Sequence, residues 1–264
     1  MSAESKDKLN KVESILVTQL TTKNNRAPYD KLVERFGLKI DYRPFTEVIP
    51  VTAKDFRKQK IVLENYTAII LTSKSAVDHF FRLCDEMRYK VPSDLKYFCK
   101  SEAVALYLQK HIVYRKRKVF FGKRTLDDLK PSLLKHKKKE KFLLPCSNFG
   151  GRNFASFLEE NDFDFNESVM YLAASSDISD LEDVFYDILV FFSPLSLQSL
   201  YDNFPEFKQN KTRIAAFGKT TAQAVLDRGL RLDIKAPTPE TPSMTMAIEK
   251  YIRQTLEGAS TSGK

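Results

Sequence analysis

The sequence predicts an α/β protein with parallel sheets, in which one pattern occurs twice. Residues 66–81 and residues 186–201 each read as a short apolar run, a hydroxyl residue and an amphipathic helix. A second pair of similar segments follows them, at residues 95–105 and 212–222. Short apolar runs alternate with helical patterns along the chain, which is typical of parallel sheets covered by helices on both faces.

The first half of the chain begins with a strand, a helix and a second strand. Residues 15–18 form a short apolar run, residues 28–36 have helical spacing, and Gly37 is placed to end that helix. Residues 38–45 alternate as an extended strand does, and residues 46–54 read as a crossover in which prolines limit regular structure. The block that follows is predicted as strands at 66–71, 95–99 and 119–121 and helices at 75–87, 102–109 and 125–135.

The second half repeats this order. A strand at 142–144, a helix at 154–160 and an extended segment at 167–173 resemble the N-terminal strand–helix–strand unit. The later block is predicted as strands at 188–192, 214–217 and 232–235 and helices at 195–201, 221–227 and 244–256. The sequence alone leaves open whether the N-terminal unit packs against the first block or the second.

The composition argues against membrane attachment, structural disulfides and several kinds of cofactor site. No apolar run approaches the roughly 20 residues of a membrane helix, and no apolar signal region opens the chain, so we expect a cytoplasmic protein without membrane attachment. The odd number of cysteines predicts no structural disulfide. The scattered histidines predict no zinc site, and the absence of a glycine-rich phosphate or dinucleotide loop predicts no nucleotide cofactor.

The net charge of +9 raises the possibility of an anionic partner. Basic residues cluster at Arg115–Lys118 and Lys135–Lys141. No aromatic residues interleave with the second run and no nucleic-acid-binding motif occurs, so charge alone supports nucleic acid only weakly and we predict none. A polyacidic small molecule or an ordinary solvated surface are the other interpretations.

Hydroxyl and small polar residues stand where the predicted parallel strands end. Ligands of such sheets bind at the carboxyl ends of the strands, and helix starts there can hold carboxylates. Any single serine or threonine in such a place can equally be an ordinary helix cap. The candidate ligand-binding residues are Thr72, Ser73, Ser101, Ser147, Asn148, Ser193, Lys219, Thr220 and Thr221. Tyr171, on the extended segment, is a candidate proton donor or a packing aromatic.

These motifs, in their order and spacing, resemble the uroporphyrinogen-III synthase family over nearly the whole chain. The segments that carry the resemblance are Pro28-Tyr29, Phe36–Leu38, Ile70–Ser73 with Ala76-Val77, Leu143–Asn148, Met170-Tyr171, Phe191–Pro194, Ala216–Ala222 and Pro237–Glu240. The resemblance implies two similar parallel-sheet α/β lobes joined by a two-stranded linker, with the active site in the cleft between the lobes. It places the first lobe at residues 11–40 plus 175–257, the second at 48–166, and the linker strands at about 40–47 and 167–174.

The resemblance also implies a function. Enzymes of this family cyclise hydroxymethylbilane, a linear tetrapyrrole with eight carboxylates, to uroporphyrinogen III, with loss of water and inversion of ring D. They use no cofactor, and Tyr171 matches the family's candidate acid. We expect a monomer that receives its substrate from porphobilinogen deaminase.

The chain departs from the family pattern at Gln19, at Ser75 and in the segment Ser101–Ala105, which lacks the family's glycine and has Val104 in place of a hydroxyl residue. These departures leave an alternative open at this stage, namely an inactive protein that binds tetrapyrroles or other polyanions on the same scaffold.

Overall fold

The computed structural model describes residues 11–20, 23–123, 125–150 and 152–261. Its strands and helices alternate along the chain. In chain order they are β1 (Ser14–Val17), α1 (Lys23–Phe36), β2 (Lys39–Tyr42), β3 (Thr46–Pro50), α2 (Ala53–Lys58), β4 (Ala68–Leu71), α3 (Lys74–Glu86), β5 (Lys96–Cys99), α4 (Glu102–Leu108), β6 (Val119–Phe121), α5 (Leu126–His136), β7 (Phe142–Ser147), α6 (Arg152–Glu160), β8 (Phe165–Ser175), β9 (Ile188–Phe191), α7 (Pro194–Asn203), β10 (Arg213–Phe217), α8 (Lys219–Asp227), β11 (Ile234–Ala236) and α9 (Met244–Thr261). Short 3₁₀ turns occur at Leu63–Asn65 and Ser179–Leu181.

The chain divides into two compact units. Unit 1 comprises the residues up to Glu47 and from Ala174 onward, and unit 2 comprises Val48–Ala173. Strands from both ends of the chain therefore share the sheet of unit 1, whose order is β11-β10-β9-β1-β2. Each neighbouring pair in this sheet is parallel.

The sheet of unit 1 is buried on both faces. Ile15 and Val17 of β1 point into a cluster formed with α1 and α9, while Leu16 points into a second cluster formed with α7 and α8. β9 alternates in the same way, with Leu189 and Phe191 in the second cluster. Successive side chains of a strand face opposite sides, so a strand that is covered twice reads as an unbroken apolar run.

The six strands of the other sheet lie in the order β3-β8-β7-β4-β5-β6. The strands from β8 to β6 pair in parallel. On one face Ile69 and Leu71 of β4 pack with α3 and α4, and on the other Ala68 and Ile70 pack with α5 and α6. The prediction of parallel sheets with helices on both faces is confirmed.

Two segments differ from the expectation. Residues 46–54 were expected to be irregular, but Thr46–Pro50 forms β3, and Ala53–Lys58 forms α2 with Thr52 capping the amide of Asp55. The proline at position 50 does not prevent β3, because it ends an edge strand, where the sheet does not need its missing N–H group. Residues 40–42, assigned to a linker strand by the family resemblance, pair with β1 in the sheet of unit 1. The strand that lies beside β8 is β3.

Phe98 offers a test of the core of unit 2. Its side chain is fully buried, and its ring lies 4.9 Å from that of Phe120 and 5.3 Å from that of Phe142. We expect Phe98→Ala to lower the free energy of unfolding by about 3–5 kcal/mol, because truncation of a buried phenylalanine leaves a cavity. Phe121→Ala is the matched control, since Phe121 is 41% exposed. Urea denaturation followed by circular dichroism measures the free energy of unfolding of both variants. Equal losses in the two would contradict the place of Phe98 in the core of unit 2.

Candidate functional site

Ser73 and Ser193 occupy equivalent places in the two units. Each follows a buried strand and caps the next helix: Ser73 Oγ accepts from the Ala76 amide at 3.0 Å, and Ser193 Oγ accepts from the Ser196 amide at 3.1 Å. Both residues have extended backbone angles, as a helix cap requires. The repeat seen in the sequence is therefore a repeated strand-to-helix junction.

Tyr171 lies against the first of these junctions. Its hydroxyl is 3.3 Å from Ser73 Oγ, and the residue is 9% exposed. Because Ser73 Oγ already accepts from the Ala76 amide, its own hydrogen can point to the tyrosine oxygen. The phenol proton of Tyr171 is then available to a ligand. Two residues predicted separately from the sequence thus form one hydroxyl pair.

An irregularity in the pairing of β7 and β8 positions Tyr171. Cys146 pairs with Val169, but the next residue, Ser147, pairs with Tyr171, so Met170 is an extra residue in β8. An extra residue of this kind re-aims the side chains that follow it. Consecutive side chains of a regular strand face opposite sides of the sheet. Here Met170 and Tyr171 are consecutive, and both belong to the cluster that packs with α3.

Side-chain amides hold the backbone two residues on either side of Tyr171. Gln59 donates to the carbonyl of Val169 at 2.7 Å and accepts from its amide at 3.0 Å. Asn148 donates to the carbonyl of Ala173 at 3.2 Å and accepts from its amide at 2.8 Å. Asn148 was predicted to bind substrate, but its amide group already bonds the backbone, so we assign it to positioning.

His79 and Arg82 of α3 fix the ring of Tyr171. The ring stacks on that of His79, with centroids 4.9 Å apart and planes inclined by 17°. Arg82 Nε donates to His79 Nδ1 at 3.3 Å, and Arg82 Nη2 donates to the carbonyls of Val51 and Met170. Burial, with the charge of Arg82, lowers the pKa of His79, so the imidazole beside Tyr171 is held in its neutral form.

Other predicted residues of unit 2 lie at the same edge of the sheet. Ser147 ends β7, and its Oγ accepts from the Phe149 amide at 3.4 Å. Ser101 precedes α4 and makes no capping hydrogen bond with its side chain. Thr72 follows β4 and lines a cavity of about 670 Å³ together with Lys100. The carboxyl ends of parallel strands meet at one edge, which brings these residues together.

The candidate residues of unit 1 lie at the starts of α7 and α8. Gly218 precedes α8 with a positive φ of 90°, and its amide donates to the carbonyl of Ala236 at 2.7 Å. Lys219 and Thr220 are exposed in the first turn, where a ligand can reach them. Thr221 is 1% exposed, so a ligand does not reach its side chain in this structure and we leave it out of the site.

Sequence reasoning missed three residues that shape this site, namely Gln59, His79 and Arg82. Gln59 follows α2, the helix that was not predicted. His79 and Arg82 sit three residues apart, on the turns of α3 that follow Ser73, and this spacing from the cap is the signal that could have pointed to them.

Two further findings concern the described residues alone. In those parts of the chain no group of three or more histidine, cysteine and acidic side chains could hold a metal ion. No helix there is both long enough and apolar enough to cross a membrane. The three cysteines are buried and free, and burial raises the pKa of the Cys99 thiol to about 12.

Known proteins resemble the chain in sequence and in fold. A family model described as Uroporphyrinogen-III synthase HemD matches residues 27–246. The solved uroporphyrinogen-III synthetase of Helicobacter pylori is 18% identical with a TM-score of 0.58, over 92% of this chain and 99% of that one. A mutant uroporphyrinogen III synthase of the bacterium Thermus thermophilus is 13% identical with a TM-score of 0.55, over 92% and 99%. At these identities the two structures support the fold alone. No curated protein matches the chain.

The pKa of Tyr171 is a measurable property of this site. Burial raises it above the ordinary value of 10.0, whereas the hydrogen bond from Ser73 lowers it in part. A phenol is a proton donor only below its pKa, so we expect Tyr171 to stay protonated at neutral and mildly alkaline pH. Ser73→Ala removes the hydrogen bond that lowers the pKa, and should raise it further.

Nuclear magnetic resonance titration of tyrosine labelled at Cζ measures this pKa, with Tyr171→Phe to assign the signal. Titration of Tyr171 below the ordinary value of 10.0, or a lower pKa in Ser73→Ala, would count against the described environment.

Proposed function

Because this chain belongs to the uroporphyrinogen-III synthase family, it is a lyase of porphyrin and haem biosynthesis that cyclises hydroxymethylbilane, and we propose that Tyr171 is its proton donor. The observation that carries the proposal is the 3.3 Å contact between Tyr171 and Ser73 at the carboxyl edge of the unit 2 sheet. A buried phenol, oriented by a hydroxyl and a stacked imidazole, is placed where ligands of parallel sheets bind.

The proposed chemistry starts at the terminal hydroxymethyl group of the substrate. The bond between its carbon and oxygen breaks, the phenol proton of Tyr171 passes to the departing hydroxyl, and water leaves. The electron-deficient carbon that remains is attacked by the substituted carbon of ring D, which gives a spiro intermediate. The bond from that ring D carbon to the bridge carbon of ring C then breaks, and the unsubstituted α carbon of ring D attacks the freed bridge carbon, which inverts ring D and closes the macrocycle. The proton that ring D gives up as the product forms returns to the phenolate, so protons balance.

A tyrosine is a weak acid, but here it needs to do little. The pyrrole nitrogen next to the hydroxymethyl carbon assists the departure of the hydroxyl, so modest proton donation is sufficient. The raised pKa keeps the phenol protonated at neutral pH, which is the form that donates. The harder task is to hold a flexible substrate so that ring D attacks through the substituted carbon, and positioning can lower a barrier by roughly 7–11 kcal/mol.

We propose that the remaining strand-end residues serve this positioning. Hydroxyls and helix-start amides hold carboxylates with many modest hydrogen bonds, so no single one has to be indispensable. The residues proposed to bind the carboxylates of the substrate are Thr72, Ser73, Ser101 and Ser147 in unit 2 and Ser193, Lys219 and Thr220 in unit 1. That both groups hold one substrate in a cleft between two lobes stays a prediction.

Several finer points are also proposals. We propose a cytoplasmic monomer that takes its substrate from porphobilinogen deaminase and binds neither nucleic acid nor membrane. The division into lobes of residues 11–40 plus 175–257 and 48–166, joined by paired linker strands, is proposed as well. The adjacent strands β3 and β8, each of which includes residues of both units, support that linker.

The decisive experiment couples the protein to porphobilinogen deaminase and separates the product isomers by chromatography. We expect the type III isomer in excess over the type I isomer, which forms without the enzyme. If only type I forms, the chain does not catalyse the reaction, and a non-catalytic tetrapyrrole-binding protein becomes the better description.

Replacement of Tyr171 tests its role directly. We expect Tyr171→Phe to lower kcat by about 10²-fold, at the low end of the range for general acids, because the hydroxyl group departs readily. The matched control is Tyr66→Phe, which also removes a hydrogen-bonded hydroxyl in unit 2, namely the one that donates to Asn166 at 2.8 Å. Formation rates of the type III isomer measure both variants, and similar rates would remove Tyr171 from the mechanism.

A further inference from the structure

A cavity of about 670 Å³ opens at the carboxyl ends of β4 and β5, within unit 2. Its volume is within the range of small-molecule sites. The first turns of α5 and α6 border it, and its lining combines polar groups with aromatic surface. The residues that matter here are Thr72, Lys100, Thr125, Phe149, Arg152 and Asn153.

Two basic side chains of this cavity have no acidic partner in the part of the chain that the structure describes. Lys100 and Arg152 are exposed, and neither makes an ion pair or a side-chain hydrogen bond with any residue that the structure describes. Elsewhere in unit 2, by contrast, Lys96 pairs with Glu140 at 2.6 Å. The acidic residue of the cavity, Asp127, is neutralised by Lys130 at 2.6 Å. The cavity is therefore positively charged and available to an anion.

The net positive charge of the whole chain is also concentrated in unit 2. Residues 48–173 contain 24 lysines and arginines and 15 aspartates and glutamates, so the entire net charge of +9 belongs to unit 2. Unit 1 is neutral overall. A polyanion is thus attracted to unit 2, and clefts lined by one sign of charge concentrate ligands of the opposite sign.

The cavity adjoins the strand end that carries Ser73. Thr72, which lines the cavity, directly precedes Ser73, whose hydroxyl meets Tyr171. The cavity and the Ser73–Tyr171 pair therefore share the carboxyl edge of the unit 2 sheet. α6 is 9 residues long, begins at the cavity and has no acidic residue in its first turn, so it adds the positive end of its dipole.

We infer that this cavity binds one carboxylate-bearing pyrrole ring of the substrate, with Lys100 and Arg152 holding the carboxylate and the 66%-exposed ring of Phe149 against the pyrrole. The inference rests on the proposed function and adds two cations to its site. Arg152 presents a planar fork that matches a carboxylate, whereas Lys100 acts as a point charge. Thr72 and Asn153 supply further polar groups.

The test compares Lys100→Gln, Arg152→Gln and the double variant with the wild type. The control is Lys138→Gln, which removes the same charge from an exposed residue beyond the far end of α5. Each cavity variant should raise KM for hydroxymethylbilane by about tenfold, the effect of one charge-assisted hydrogen bond, with kcat changed much less. Uroporphyrin III, a fluorescent octacarboxylate, serves as a second probe, and its Kd should rise in parallel.

Each outcome of these measurements is decisive. If Lys100→Gln and Arg152→Gln change KM and Kd no more than Lys138→Gln does, the cavity does not hold the substrate. If the wild type makes only the type I isomer, the proposed function fails, and the uroporphyrin titration still decides the cavity. Thermal melting measures whether each variant is folded. We expect all of them to fold, because only exposed side chains are replaced.

Discussion

Burial of parallel strands on both faces imposes most of the other features of this molecule. Such a strand needs a helix on each side, and the chain must return to the same end of the sheet before the next strand begins. The carboxyl ends of β4, β5 and β7 therefore gather at one edge, and a helix starts near each of them. Hydroxyl residues near these helix starts, such as Ser73 and Ser101, also become groups that a ligand can meet.

The hydroxyl group of Tyr171, the proposed proton donor, is held in place by the residues around it. An extra residue in β8 turns its ring toward α3, and the amides of Gln59 and Asn148 hold the backbone on either side. The ring is then confined by His79, which Arg82 orients. A rigid tyrosine costs no further ordering when substrate binds, which is the benefit of pre-organisation.

The two units have the same kind of strand-to-helix junction but differ in charge. Ser73 and Ser193 cap their helices alike. Among the described residues, however, the hydroxyl of Ser193 bonds only within its own helix start, whereas that of Ser73 also meets Tyr171. The whole net charge lies in unit 2. The proposed proton donor and the basic cavity thus belong to unit 2 alone among the described residues, and both depend on side chains that the repeated pattern does not share.

Local patterns in the sequence were enough to predict the fold class, most of the strands and helices, and the repeated cap. Period-two and period-3.6 patterns report burial directly, and hydroxyl caps follow from local backbone geometry. The folded chain was needed to show that β1 joins β9, that Thr46–Pro50 forms a strand, and that Thr221 is buried. Folding also brought Tyr171 to Ser73, and Lys100 to the same cavity as Arg152. These pairs are distant in the chain, and no local pattern records which strand lies beside which or where an extra residue turns a side chain.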